Sequence, residues 1–146
     1  MERTWIVVCD ASHCRFFMKR QNTTEWVKFE EFEHPAGRAK GMDLISDRAG
    51  RYANTQAKGR THPAMDLRTT PEEVEEQRFS HKIAEMLESA YNQNAFERLI
   101  LVAPPQFLGA LRDALKGPVT RVIYGTLDKD YTKLRDDQLP ERIATP

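Results

Sequence analysis

The run Trp5-Ile6-Val7-Val8-Cys9 constrains the fold more than any other stretch of the sequence. It is apolar at every position and rich in β-branched side chains, which predicts a strand covered on both faces. Such strands lie inside sheets that are flanked by helices, so we expect an α/β protein. At 146 residues the chain is long enough to bury a real core, and we assign residues 1–146 to a single domain.

Seven further segments have recognisable patterns. Strands are predicted at Cys14–Arg20, Trp26–Phe32, Arg98–Ala103 and Val119–Tyr124, and helices at Pro71 to about Asn92, Gln106–Lys116 and Thr132–Ile143. The first helix has the clearest start, because Thr70-Pro71-Glu72-Glu73 offers a hydroxyl N-cap, a proline at the first position and a glutamate for a capping box. The order β-β-β-α-β-α-β-α predicts a mixed five-stranded sheet that resembles the ribonuclease H-like arrangement, with helices on its faces.

A long segment without a pattern, residues 34–70, separates the third strand from the first helix. It holds seven basic and three acidic side chains, a net charge of +4, whereas residues 71–97 carry a net charge of −5. A loop of this length in a small domain is commonly functional or disordered. Two interpretations stay open: the basic loop folds back on the acidic helix, or it recognises an outside anion.

The arginine side chains of this loop are suited to bind phosphate or carboxylate, because their planar forks donate two parallel hydrogen bonds. Arg48 and Arg51 are the first candidates for an anion contact, and Asp47 is placed to orient one of them. Gly50, between these arginines, permits a close backbone approach. Lys58 and Arg60 extend the predicted binding surface.

Asp10 is the candidate catalytic residue, because it ends the first strand, where open α/β sheets present their ligands. In ribonuclease H-like nucleases an acid at this place holds divalent metal together with acids on the first helix and the fourth strand. Leu99–Ala103 contains no carboxylate, so a turn-forming or loop-anchoring role is the favoured interpretation of Asp10. The spacing of the histidines and of Cys9 and Cys14 indicates no metal site, and no cofactor is predicted.

The sequence has no signal-peptide pattern and no apolar run of transmembrane length. The two cysteines form no disulfide framework, and we expect them to be buried thiols in a reducing cytoplasm. We therefore expect a cytoplasmic protein without membrane insertion. The formal net charge is zero, so electrostatic recognition must come from local segregation of charge.

Several stretches together resemble the bacterial host attachment proteins, described as required for attachment to host cells. They lie in order along nearly the whole chain: Val7–Ser12 with Arg15-Phe16-Phe17, Asp43-Leu44 with Ser46–Arg51, Phe79–Leu87, Val102–Gly109 with Leu111-Arg112, and Lys129–Thr132. The chain departs from the family pattern at His13-Cys14 and at Pro140. The resemblance implies partners in a host-attachment pathway, and Arg15, within these stretches, joins the candidate binding residues.

The family is also similar to the middle domain of archaeal and eukaryotic peptide-chain release factors. That domain projects a long loop with Gly-Gly-Gln into the ribosome, whereas Gln56–Arg60 of this chain lies in a comparable loop without that motif. This similarity implies contact with RNA or the ribosome rather than peptidyl-tRNA hydrolysis. The prediction is thus a non-enzymatic cytoplasmic binding protein that contacts RNA, ribosome or another anionic partner. The alternative is a metal-dependent hydrolase of phosphate or ester bonds, in which Asp10, Asp47 and Arg48 converge.

Overall fold

The computed structural model describes residues 2–34 and 70–146. The strands are β1 (Arg3–Cys9), β2 (His13–Arg20), β3 (Val27–Glu33), β4 (Arg98–Val102) and β5 (Ile123–Leu127). The helices are α1 (Pro71–Asn92), α2 (Pro105–Ala114) and the short α3 (Leu139–Arg142), with 3-10 helices at Gly117–Val122 and Asp136–Gln138. The division into a single domain stays a prediction. Most of the predicted loop, residues 35–69, lies outside the described residues.

The strands form one mixed sheet in the order β3-β2-β1-β4-β5. The pairs β1–β2 and β2–β3 are antiparallel, whereas β1–β4 and β4–β5 are parallel. Only β2 therefore runs against the others, so β1, β3, β4 and β5 all end at the same side of the sheet, which we call the carboxyl edge. The predicted mixed five-stranded α/β sheet is confirmed, whereas the ribonuclease H-like assignment stays a prediction.

The central strand β1 is buried on both faces, as its sequence predicted. Val7 and Cys9 join the core under α1 and α2, while Ile6 and Val8 join the core on the opposite face. That opposite face is covered by the C-terminal part of the chain, from which Leu139 contributes a fully buried side chain. The alternation of side chains along a strand explains how one apolar run supplies two cores.

The predicted start of α1 is also confirmed. Thr70 is the N-cap: its hydroxyl accepts a hydrogen bond from the Glu73 amide at 3.1 Å, and the Glu73 carboxylate accepts one from the Thr70 amide at 3.0 Å. These reciprocal bonds satisfy two amide donors that a helix N-terminus leaves without partners. Thr70 is thereby fixed at the start of α1.

The boundaries predicted for the fifth strand were wrong. Residues 119–122 form part of a 3-10 helix, and the strand begins only at Ile123 and runs to Leu127. Gly117 adopts a left-handed φ of 76° and Pro118 stands in the first turn of the 3-10 helix, so the chain turns there. Val119 is buried because of this turn, and not because it lies on the inward face of a strand.

The long last helix predicted at residues 132–143 is reduced to the four residues of α3, preceded by a 3-10 turn. Pro140 lies at the start of α3 instead of disturbing its end. The carbonyl oxygens of Tyr131, Thr132 and Leu134 accept hydrogen bonds from the Arg15 guanidinium. Because these carbonyls are directed to a strand of the sheet, the segment that carries them does not continue as a helix.

Candidate functional site

Asp10 lies at the carboxyl edge, directly after β1, and its carboxylate is fully engaged by the turn around it. Oδ1 accepts hydrogen bonds from the backbone amides of Ser12 and His13, both at 2.7 Å. Oδ2 accepts one from the Thr132 hydroxyl at 3.0 Å. The first two bonds form an Asx-type turn between β1 and β2, and the third ties this turn to the segment after β5. This geometry favours the loop-anchoring role of Asp10.

The Thr132 hydroxyl also lies within hydrogen-bond distance of a second carboxylate, that of Asp130. The Thr132 Oγ1 lies 2.6 Å from Asp130 Oδ1 and 3.0 Å from Asp10 Oδ2. A hydroxyl carries one hydrogen, so the two carboxylates share a single donor. Within residues 2–34 and 70–146, no three His, Cys, Asp or Glu side chains are grouped so as to hold a metal ion.

The histidines of this edge lie beside carboxylates. His13 places Nδ1 3.4 Å from Asp10 Oδ1 and Nε2 3.4 Å from Glu33 Oε2. His34, which follows β3, donates its backbone amide to the Ser12 carbonyl at 2.8 Å. These contacts fasten the β1–β2 turn to the end of β3.

His34 also connects β3 to α1. Its Nε2 lies 3.0 Å from Glu75 Oε1, and its ring stacks on Phe79 with the centroids 4.9 Å apart and 19° between the planes. Glu75 stands five residues after Thr70, in the second turn of α1. His34, at one border of the predicted basic loop, is therefore fastened to the N-terminal half of α1, the helix that begins after Thr70 at the other border.

Arg15, a predicted binding residue, lies in β2 on the face opposite α1, with only 7% of its surface exposed. Its Nη1 donates to the Leu134 carbonyl at 3.0 Å and to Asp136 Oδ1 at 2.7 Å. Its Nη2 donates to the carbonyls of Tyr131 at 3.1 Å and Thr132 at 3.0 Å. The guanidinium thus acts as a clamp that holds the C-terminal segment on the sheet. A further role in binding a partner stays a prediction.

Asp136, the acidic partner in this clamp, is shared between two cations. Its Oδ2 lies 2.8 Å from the Lys28 ammonium. Burial acts to raise the pKa of Asp136, but the hydrogen bonds from Lys28 and Arg15 outweigh it and hold the pKa below its usual value. One sign of this arrangement is present in the sequence: Arg15 stands two positions before Phe17, so both lie on the same face of β2, and an arginine on a buried face requires acceptors.

The remaining predicted site residues lie outside the described residues. They are Asp47, Arg48, Gly50, Arg51, Lys58 and Arg60. Their roles in binding stay predictions, as does the convergence of Asp10, Asp47 and Arg48 that the hydrolase alternative requires.

The two cysteines are cross-strand neighbours in the core. Cys9 of β1 is paired with Cys14 of β2, and both side chains are completely buried. Burial, together with the neighbouring Cys9 thiol, raises the pKa of Cys14 well above its ordinary value. A buried thiol with a raised pKa is a poor nucleophile, which favours a packing role for this pair.

A comparison with models of protein families shows the family of this chain. A family model described as "Protein required for attachment to host cells" covers residues 5–143. The chain belongs to this family. The match extends from β1 to the end of α3 and so includes Asp10, Arg15 and their partners. A search of curated proteins returned no match.

Among solved structures, a Ppx/GppA phosphatase from Aquifex aeolicus is similar to this chain, with a TM-score of 0.42 and 10% sequence identity. The similarity covers 87% of this chain and 36% of the phosphatase chain, so the host attachment protein spans about a third of that relative. A likeness of this degree says nothing about activity. None of the helices formed by residues 70–146 is long and apolar enough to cross a bilayer.

Proposed function

We propose that this host attachment protein is a non-enzymatic cytoplasmic binding protein whose basic segment, residues 34–70, contacts RNA, the ribosome or another anionic partner. The observation that supports the proposal most is the contact of His34 with Glu75 and Phe79. It fastens His34, where a segment with a net charge of +4 begins, to the helix that follows this segment, and it lies at the carboxyl edge, where sheets of this kind present their ligands. Membership of the family links such binding to a host-attachment pathway.

The charges of the described residues at the carboxyl edge support an anion contact by the segment itself. The carboxyl edge carries the carboxylates of Asp10, Glu33, Glu75 and Asp130. Carboxylates repel a phosphate backbone, so we assign the attraction to the basic side chains of the segment, first among them Arg48, Arg51, Lys58 and Arg60.

Binding fits the carboxyl edge better than catalysis does. A hydrolase would need Asp10 to direct an oxygen at a metal ion or at a water molecule. Oδ1 instead accepts hydrogen bonds from the amides of Ser12 and His13, and Oδ2 shares the Thr132 hydroxyl with Asp130. We therefore treat the hydrolase as the less supported of the two predictions.

The experiment is a salt titration of single-stranded RNA binding, followed by fluorescence anisotropy. If Arg48 and Arg51 each contact a phosphate, replacing both by alanine lowers the slope of log K against log salt by about 1.4, since each contact contributes about 0.7 for single strands. The matched control replaces Arg112 and Arg121 by alanine, because both are exposed and both lie outside the segment. The control removes the same total charge and should retain the slope.

Two results would contradict the proposal. One is the absence of RNA and ribosome binding at low salt, where phosphate contacts are strongest. The other is an equal loss of affinity in the double variant and in its control, which would show a general effect of charge instead of a contact by the segment.

A further inference from the structure

A groove between β3 and the second half of α1 is the most distinctive surface outside the carboxyl edge. Its volume is about 440 Å³, and its floor is formed by Trp5, Phe16, Phe29 and Met86. The rings of Trp5 and Phe29 lie 4.7 Å apart, so the floor is largely aromatic. Such a floor offers an apolar and π surface to a ligand.

The strand beside the groove is the last one on its side of the sheet. Within the described residues, the outer backbone of β3 pairs with no other strand. Val27 and Phe29 on this strand are 48% and 44% exposed, and they are two of the three large apolar side chains that the described chain exposes. An exposed edge with apolar side chains is a template for an added strand.

Phe29 owes its position to a bulge in β3. Phe16 is paired with Glu30 and the next residue of β2, Phe17, is paired with Lys28, so Phe29 is the extra residue. Bulges commonly redirect a side chain, and here the extra residue packs on Trp5 and Phe16 in the groove. The groove and the open edge are thus parts of one surface.

The groove is lined by two acidic side chains and one basic side chain, so the charge of its lining is net negative. Glu30 and Glu85 line it, and neither forms an ion pair within residues 2–34 and 70–146. The Lys82 ammonium, the cation at the rim, lies 4.8 Å from the centre of the Phe32 ring. The last turn of α1 has no basic residue, so the negative end of the helix dipole near Gln93 is not offset there.

We propose that this groove binds an extended peptide segment that contains arginine and adds to β3 as a further strand. A guanidinium group fits both properties of the site, because it stacks on aromatic rings and forms hydrogen-bonded pairs with carboxylates. The backbone of the segment would pair with the outer edge of β3. The groove lies against the second half of α1, from Lys82 to Gln93.

A second copy of this chain suits the surface less well. Antiparallel pairing of β3 with itself, centred on Glu30, would place Glu30 directly opposite its own copy and Phe29 opposite Glu31. Like charges directly opposite one another destabilise a strand pair. The charge of the edge therefore selects a basic partner over an identical one.

The test uses a labelled nine-residue peptide of alternating valine and arginine, titrated with the full chain and followed by fluorescence anisotropy. We expect Glu85→Lys to weaken binding about tenfold, because it replaces an attraction by a repulsion in the groove. The matched control is Asp113→Lys, the same change of charge at an exposed position of α2 away from the groove. The control should leave the dissociation constant within about twofold.

A peptide with glutamate in place of arginine should bind at least about tenfold more weakly than the arginine peptide. Amide chemical shifts measured during the titration should change along β3 and the second half of α1. Equal weakening by Glu85→Lys and Asp113→Lys, or shift changes confined to other elements, would overturn the proposal. A dimer of the free protein that Phe29→Ser abolishes would also overturn it, by assigning the surface to a second copy.

Discussion

Replacing Arg15 by methionine tests the interpretation of this residue as a clamp. The change removes four hydrogen bonds, to Asp136 and to the carbonyls of Tyr131, Thr132 and Leu134, and keeps a side chain of similar length. We expect it to destabilise the fold strongly, because the guanidinium is buried and its acceptors lie far along the chain.

The expected loss of stability depends on which hydrogen-bond partners the acceptors of Arg15 retain in Arg15→Met. Asp136 retains the Lys28 ammonium at 2.8 Å, and the Tyr131 carbonyl retains the amide of Leu134 at 3.1 Å. The carbonyls of Thr132 and Leu134 lose the hydrogen bonds that Arg15 makes to them. Each buried group left without a partner costs about 1–3 kcal/mol, and the lost ion pair adds less than a fully buried one would, because the Asp136 side chain is 43% exposed. We therefore expect a loss of about 3–4 kcal/mol, a large part of the stability of a domain of this size.

Urea unfolding followed by circular dichroism measures this loss. Arg15→Lys should lose about half as much, because it keeps the charge but not the planar fork. The matched control is Arg135→Met, since Arg135 is exposed and pairs with the exposed Asp137, and it should cost below about 0.5 kcal/mol. A loss below about 1 kcal/mol in Arg15→Met would refute the clamp. The clamp would also be refuted if Arg15→Lys bound RNA more weakly without a loss of stability, because that result would indicate that Arg15 contacts a partner.

Three further predictions concern single groups. The hydrogen bond from Arg3 lowers the pKa of the Glu97 carboxyl in the folded protein. The ionised Glu97 therefore stabilises the fold above its unfolded-state pKa, and this stabilisation is lost as the pH falls through the folded-state pKa. In thermal melts from pH 7 to 3, Glu97→Gln should thus lose less stability than the parent chain. Thr70→Ala should cost about 1 kcal/mol in urea unfolding, and Thr70→Ser should keep the cap and the stability. Because burial raises the pKa of Cys14, Ellman's reagent should label Cys9 and Cys14 only at the rate of unfolding, and rapid labelling of the native protein would contradict this packing.

The features that could be predicted from the sequence are those set by neighbouring residues. The apolar run of β1 requires cover on both faces wherever it is placed, and the capping box at Thr70 is complete within four residues. The engagement of Asp10 is also mostly local, since two of its three donors lie within the next three residues.

The features that were missed depend on residues far apart in the chain. The segment after β5 is shaped by bonds from Arg15 to backbone carbonyls more than 110 positions away. A carbonyl belongs to every residue, so such bonds leave no pattern in the sequence. The boundaries of the strand Ile123–Leu127 were predicted wrongly for a related reason. An apolar residue such as Val119 is typical of a strand, and only the three-dimensional structure shows that a 3-10 turn buries it.

The structure also bears on whether the basic segment is neutralised by α1. Five of the seven glutamates in residues 71–97 already bond to groups in the described chain: Glu73, Glu75, Glu76, Glu88 and Glu97. A carboxylate with one such bond keeps its charge, but it no longer offers both oxygens to an arginine fork. Glu72 and Glu85 are then the carboxylates of this stretch best placed for bidentate pairing, and Glu85 lines the groove beside β3. Pairing of the segment with α1 and binding of an outside anion both stay predictions, and either contact between exposed charges would weaken as the salt concentration rises.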